Sequence, residues 1–135
     1  MALTKIVSVF NLENNMEVII MGAYEEFINN ILESRGRFAC GDEYHERHHI
    51  LPKSCNGSDG EDNLIDLLAR EHYEAHRLLA IENPNNKSLV SAWWLMSHAK
   101  GNNKQEWYEV SPEEYEEARI AFVDSISGEN NFWYN

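Results

Sequence analysis

The fold is decided by one stretch of the sequence, which reads YHERHHILPK at residues 44–53, NLIDL at 63–67 and AREHYEAHRLL at 69–79. Residues 44–51 predict a short strand, because Pro52 cannot donate to a sheet ladder and ends it. Residues 63–67 predict a second strand, and a helix is expected over 69–81. A polar loop of Gly, Ser, Asn and Asp at 54–62 separates the two strands.

The flanking sequence predicts mainly helices. Apolar residues recur at helical spacing over 23–34 and 87–100. A third helix is expected after Ser111-Pro112-Glu113-Glu114, a capping box with proline at the first helical position. The β-branched residues at 4–10 and 16–21, with turn chemistry between them, predict an N-terminal β-hairpin.

The 135 residues are enough for one domain with one modest core. We expect an α+β fold in which residues 1–22 form an N-terminal extension, with the β-hairpin, and residues 23–135 form a single domain. Its core is expected at 44–81 and its C-terminal helices at 87–127.

The net charge of −12 is unusual for a protein that contacts phosphate backbones, which favour basic surfaces. The acidic excess is uneven along the chain. Residues 101–135 hold two basic and eight acidic side chains, whereas residues 36–100 hold seven basic and ten acidic ones. The excess therefore lies mostly outside the expected core, and a charge run of this kind is most often a solvated face.

No run of eighteen apolar residues occurs, and the first apolar stretch is too short and too weakly basic for a secretory signal. Two cysteines, Cys40 and Cys55, are too few for a disulfide scaffold, and we expect both as thiols near the loops of the core. These features predict a cytoplasmic protein of a bacterium or of a phage-infected bacterial cell, with no membrane partner.

The histidines carry the chemical signal. His72 and His76 lie four residues apart on the predicted helix, so both imidazoles project from one face, as two ligands of one divalent ion must. His48 on the preceding strand is a natural third ligand, which leaves positions open for water and a phosphate oxygen. His49 is the candidate general base, since a neutral histidine suits that role at physiological pH. Adjacent strand residues point to opposite faces, so His48 and His49 converge only if the strand twists or frays near its end.

These residues, with Gly57-Ser58-Asp59 in the loop, resemble the HNH (ββα-metal) endonucleases, and most of all the small HNH proteins encoded by phages and prophages. The resemblance covers about residues 35–79. It implies a ββα-metal core, a short two-stranded hairpin and a helix, surrounded by additional helices. The flanking CxxC pairs and the sequence-reading module of homing endonucleases are missing.

The resemblance also implies residue roles. His48, His72 and His76 would bind the metal, and His49 would be the general base. The catalytic Asn63 would tie the loop to the strand by hydrogen bonds and so orient His49. For Lys53 and Arg70, contact with the substrate phosphate and ordinary solvation both remain open.

The expected activity is metal-dependent hydrolysis of phosphodiester bonds in DNA, by nicking or double-strand cleavage. The expected cofactor is a divalent ion, first Mg²⁺ or Mn²⁺, although three imidazoles also favour Zn²⁺ or Ni²⁺. The alternative is a non-catalytic acidic phage protein on the same fold, which binds and inhibits a host defence nuclease or another basic partner through its acidic C-terminal region. His45 and His98 are expected to serve at the surface or in packing, with His98 a minor alternative ligand.

Overall fold

The computed structural model describes residues 6–10, 16–100 and 106–127. Within these ranges the chain forms four helices and six short strands. In chain order they are β1 (Ile6–Phe10), β2 (Met16–Ile20), α1 (Ala23–Ser34), β3 (His45–His49), β4 (Leu64–Leu68), α2 (Ala69–Glu82), α3 (Lys87–Ser97), β5 (His98–Lys100), β6 (Trp107–Glu109) and α4 (Pro112–Ile126). The fold is therefore mixed α+β, as the sequence predicts.

The strands of the described ranges pair in three antiparallel two-stranded sheets: β1 with β2, β3 with β4, and β5 with β6. In the second sheet the register runs from His45 opposite Leu68 to His49 opposite Leu64. The chain passes from β4 into α2 without an intervening loop, because Leu68 is the last strand residue and Ala69 the first helical one. A strand–loop–strand–helix unit is thus present where the sequence predicts it.

The core lies where α1, β4 and α2 meet. Strand β4 is apolar at four of its five positions and is buried from Ile65 to Leu68. Two of its backbone carbonyls accept from arginine side chains, since Arg35 donates to the Asp66 carbonyl oxygen and Arg37 to that of Leu64. The buried cluster comprises Ile19, Met21, Tyr24, Ile28, Ile31, Cys55, Ile65, Leu67, Ala75, Leu79 and Leu89.

The predicted N-terminal hairpin is present over 6–10 and 16–20, while residues 4–5 and 11–15 of that prediction lie outside the described residues. The hairpin is joined to the core at its second strand. Ile19 is fully buried, and the Asn83 side chain bonds both the amide and the carbonyl of Ile20, at 2.6 and 2.9 Å. Glu82 then accepts from the backbone amides of Gly22, Ala23 and Tyr24, which caps α1.

The predicted helix over 87–100 is wrong in its last three residues, which form β5. The Ser97 hydroxyl donates back to the carbonyls of Trp93 and Trp94, and the Ser97 carbonyl accepts from Val110, so the helix ends there. The chain then pairs with β6, which sequence periodicity had not indicated. Among the described helices, none combines the length and the apolar character that crossing a membrane requires.

Candidate metal centre

Three histidines converge where β3 faces α2. His48 comes from the strand, and His72 and His76 lie one turn apart on the helix, with one potential ligand nitrogen from each lying within 4.8 Å of the others. The His72 and His76 ring centroids are 4.8 Å apart, and His48 lies 5.1 and 5.2 Å from them. The structure therefore brings together the three residues that the sequence assigned to metal binding.

His48 is held by Tyr24 of α1. The Tyr24 hydroxyl donates its proton to the Ile50 carbonyl oxygen at 2.6 Å, so it must accept from His48 Nε2–H, which lies 2.7 Å away. Burial, followed by the neighbouring histidines, holds the pKa of His48 well below its usual value, so the ring is neutral. A neutral ring with its proton on Nε2 leaves the Nδ1 lone pair bare, as a metal ligand requires.

His72 is held by Glu46, which lies two residues before His48 on the same face of β3. His72 Nδ1 lies 2.9 Å from Glu46 Oε1. Burial works to raise the pKa of Glu46, but hydrogen bonds from His72, Tyr44 and Tyr115 outweigh it and lower that pKa to about 2. An ionised carboxylate only accepts, so His72 donates from Nδ1, and in the neutral ring Nε2 is the bare nitrogen.

His76 completes the cluster. Its Nε2 lies 3.1 Å from His72 Nε2, and its Nδ1 is buried without a hydrogen-bond partner among the described residues. Burial, followed by the neighbouring His72, lowers the pKa of His76 to about 4.

The donor set fits a divalent cation. Two nitrogens that each lie about 2.1 Å from one ion are separated by about 3.0 to 3.4 Å at angles between square and tetrahedral. The 3.1 Å between His72 Nε2 and His76 Nε2 already falls in that range. The widest pair lies no more than 4.8 Å apart and would have to close further around an ion.

His49 reaches the same cavity, although it follows His48 directly. A cavity of about 300 Å³ is lined by both residues together with Arg47, Pro52, Lys53, His72 and His76. Strand β3 ends at His49, so the side chain is free of the strict alternation of a longer strand. His49 Nε2 lies 2.8 Å from Asp59 Oδ1, so Nε2 donates to this carboxylate, and in the neutral ring Nδ1 is the bare nitrogen.

Asn63 makes the hydrogen bonds expected of it between loop and strand. Its Oδ1 accepts from the Leu51 amide at 2.8 Å, and its Nδ2 donates to the carbonyls of Leu51 and Ser58 at 3.0 and 2.8 Å. Gly57 packs the loop against the same strand end, because a Cβ there would lie 1.7 Å from the Leu51 carbonyl oxygen. Only glycine permits so close an approach.

The two candidate phosphate contacts differ in position. Lys53 lines the cavity and lies 3.2 Å from Asp59, with both side chains largely exposed. Arg70 is not among the residues that line it, and both oxygens of Glu116 on α4 accept from its guanidinium, at 2.8 and 3.1 Å. His45 and His98 lie outside the cluster, and His98 stacks on Trp94 with ring centroids 4.3 Å apart.

Sequence reasoning missed Glu46 and Tyr24. Glu46 had a readable signal, since it shares a strand face with His48 and could have been paired with a helical ligand. For Tyr24 the sequence carried no signal of such a role, only its place on the apolar face of α1. Both cysteines are buried and neither forms a disulfide, as predicted.

The chain matches no family model and no solved structure. It is similar to several proteins of Enterobacteria phage T4. It is 35% identical over 96 residues to the probable mobile endonuclease E, which covers 71% of this chain and 67% of that protein. It is 41% identical over 76 residues to the probable mobile endonuclease D, or 53% of this chain and 29% of the relative.

For the probable mobile endonuclease C the identity is 45% over 56 residues, which is 42% of this chain and 26% of the relative. The chain thus spans two thirds of the first of these relatives and less than a third of the other two. The match to the first is long enough, in both chains, to establish kinship. The chain belongs to the family of the T4 probable mobile endonucleases.

Proposed function

We propose that the chain is a metal-dependent endonuclease of the HNH (ββα-metal) type, which hydrolyses phosphodiester bonds in DNA. One observation carries the proposal: three imidazoles that fit one cation line the same cavity as a fourth, whose Nδ1 is the nitrogen that can accept a proton. The phage T4 relatives are named probable mobile endonucleases, which supports a nuclease activity. The place of action would be the cytoplasm of an infected bacterium.

His48 Nδ1, His72 Nε2 and a nitrogen of His76 would hold the cation. Three nitrogen donors favour Ni²⁺ or Zn²⁺ over Mg²⁺ and Mn²⁺, which prefer oxygen ligands. A bound divalent ion would supply stabilisation of the negative charge that develops on the phosphate and the leaving 3′-oxygen.

The chain's own residues would perform the proton transfer. His49 Nδ1 would take the proton of the attacking water, and the Asp59 carboxylate would hold the ring through Nε2–H. Asn63 would fix the end of the strand that carries His49 by its three hydrogen bonds to the backbone. The exposed ammonium of Lys53 would bind a phosphate of the substrate.

Plasmid nicking by the purified protein, with Mg²⁺, Mn²⁺, Ni²⁺ or Zn²⁺ added to metal-stripped samples, tests the proposal. The variant is His49→Ala, and the matched control is His45→Ala on the same strand, which removes an imidazole that does not line the cavity. We expect His49→Ala to lose about 10² to 10⁴-fold in rate, the usual contribution of a general base. It should retain metal affinity by calorimetry, and His45→Ala should cleave like the wild type.

Equal cleavage by wild type and His49→Ala would show that His49 is not the base. A wild-type protein that binds metal, cleaves neither DNA nor RNA and forms a salt-sensitive complex with a basic protein would favour the non-catalytic binder instead. Cleavage of RNA alone would correct the substrate.

A further inference from the structure

The Glu46 carboxylate accepts four hydrogen bonds at the site. Its Oε1 accepts from His72 Nδ1 at 2.9 Å and from the Tyr115 hydroxyl at 3.0 Å. Its Oε2 accepts from the Tyr44 hydroxyl at 2.6 Å and from Arg119 Nε at 3.1 Å. Only 12% of this side chain is exposed, so four donors surround a carboxylate that water scarcely reaches.

Two of these donors come from α4, far along the chain from the strand–loop–strand–helix unit. Tyr115 and Arg119 are four residues apart, so both project from one face of the helix. None of the residues of α4 is buried, so little apolar burial attaches this helix. Its polar anchors are Glu46 and the Arg70–Glu116 pair. Docking of α4 is therefore centred on the carboxylate that touches His72.

The contact has a chemical consequence for His72. Since all four groups around Glu46 are donors, the carboxylate has no proton to give, and His72 must donate from Nδ1. Its Nε2 then carries a bare lone pair, on the side of the ring where His76 Nε2 lies 3.1 Å away. Outer hydrogen bonds of this kind fix the tautomer and the orientation of metal-bound histidines.

We infer that α4 is a working part of the metal centre: Tyr115 and Arg119 hold Glu46, and Glu46 holds His72 in the orientation and tautomer that bind the cation. Glu46, Tyr115 and Arg119 are positioning residues, since they act through His72. This inference deepens the proposed function and rests on its metal site. It makes metal affinity depend on the contacts that Tyr115 and Arg119 make with Glu46.

Two matched pairs of variants test it in the full chain. Glu46→Gln keeps the shape of the side chain but replaces an accepting oxygen by a donating NH₂ group. Its control is Glu116→Gln, which makes the same change in a carboxylate of α4 that pairs with Arg70 and touches no histidine. Tyr115→Phe removes one donor to Glu46. Its control is Tyr73→Phe, whose hydroxyl donates to the Val110 carbonyl and touches no histidine.

Calorimetric titration with Ni²⁺ and with Zn²⁺ gives the affinities, and urea unfolding of the metal-free proteins gives their stabilities. We expect Glu46→Gln to bind metal roughly 10 to 100-fold more weakly, as when a metal-bound histidine loses its outer partner. Tyr115→Phe should lose affinity in the same direction and by less. Both controls should bind like the wild type, even where their stability falls.

Imidazole ¹⁵N spectra of the metal-free protein provide a readout that a loss of stability does not move. His72 should carry its proton on Nδ1 in the wild type and in both controls, and should become a mixture of tautomers in Glu46→Gln. A wild type that binds metal, with Glu46→Gln binding equally well and keeping the His72 tautomer, would overturn the inference alone. A wild type that binds neither ion would overturn the proposed metal centre itself.

Discussion

The Tyr24 hydroxyl lies 2.7 Å from His48 Nε2 and gives its own proton to the Ile50 carbonyl oxygen 2.6 Å away. A helix outside the strand–loop–strand–helix unit thereby decides which nitrogen of His48 is bare. The tyrosine is fully buried, and burial raises the pKa of its hydroxyl far above the usual value, so it never loses the proton that this arrangement needs. The orientation of His48 is thus fixed by Tyr24, a residue of the hydrophobic core.

Replacing Tyr24 by phenylalanine should weaken metal binding as well as the fold. The change leaves His48 Nε2–H and the Ile50 carbonyl without their buried partner, which should cost about 1 to 3 kcal/mol in the free energy of unfolding. His48 would also be free to move its proton to Nδ1 and lose its ligand lone pair. Urea unfolding and Ni²⁺ titration of the same samples measure the two effects.

Tyr73→Phe is the control for this prediction, because it too removes a hydroxyl that donates to a backbone carbonyl, on a tyrosine that is 6% exposed. It should lower the stability and leave the Ni²⁺ affinity unchanged. If Tyr24→Phe and Tyr73→Phe bound Ni²⁺ equally well, the role given to Tyr24 would be wrong.

The second prediction concerns the two asparagines that clamp backbone groups. Asn63→Ala removes three hydrogen bonds at the end of β3 and should lower the rate of DNA cleavage on the order of 100-fold, the effect of a misplaced catalytic group. Asn83→Ala also removes three hydrogen bonds to the backbone, in this case to Ile20 and Leu79. These residues are far from His49 along the chain. Rates of plasmid nicking under conditions where both variants remain folded compare them.

Asn83→Ala should cleave at the wild-type rate once folded. Metal affinity should survive in both variants, because neither asparagine touches His48, His72 or His76. A fall in cleavage shared equally by both variants would mean that Asn63 acts only through stability.

Local pattern was enough to predict most of the helices and the place of the site. Residues 23–34 were predicted as a helix and form α1, and the helix predicted over 69–81 runs over Ala69–Glu82. The spacing of His72 and His76 placed both imidazoles on one face, and the structure brings His48 to them. These features depend on periodicity within a few residues, which a single sequence displays directly.

The parts that escaped prediction depend on contacts between distant segments. The pairing of β5 with β6 depends on residues about ten positions apart with no strong β pattern, and the Ser97 bonds that end α3 compete with the helix itself. Tyr24 is 24 residues from His48, and Tyr115 is 69 residues from Glu46. Such side-chain hydrogen bonds produce no periodic pattern in the sequence, because a tyrosine on the apolar face of a helix is expected to be an ordinary core residue.

A third prediction concerns the contact of Lys53 with DNA, which we expect to differ from that of an arginine already paired with a carboxylate. The pair of Lys53 with Asp59 is exposed and therefore weak, so the ammonium is available to a phosphate. Lys53→Gln should weaken binding to a DNA duplex and reduce the slope of log affinity against log salt by about 1, as loss of one phosphate contact does. Fluorescence anisotropy over a range of salt concentrations measures this slope.

Arg77→Gln serves as the control, because Arg77 pairs with Glu74 on its own helix and does not line the cavity. Its salt slope should equal that of the wild type. Identical slopes for Lys53→Gln and the wild type would remove Lys53 from the substrate contacts.

The last prediction tests whether the loop before β4 positions His49 independently of the metal ligands. A Cβ at Gly57 would meet the Leu51 carbonyl oxygen at 1.7 Å, and that oxygen accepts from Asn63 Nδ2. Gly57→Ala must therefore push the loop away from the end of β3 and disturb His49, while His72 and His76 stay on α2. We expect cleavage to fall on the order of 100-fold, with Ni²⁺ affinity within a few-fold of the wild type.

The control is Gly41→Ala, where φ is +63° but nothing lies within 4 Å of the added Cβ. It should cost about 1 to 2 kcal/mol in the free energy of unfolding and leave cleavage intact. Cleavage by Gly57→Ala at the wild-type rate would show that this loop does not position the base, because the clash is with backbone and cannot be relieved without moving it.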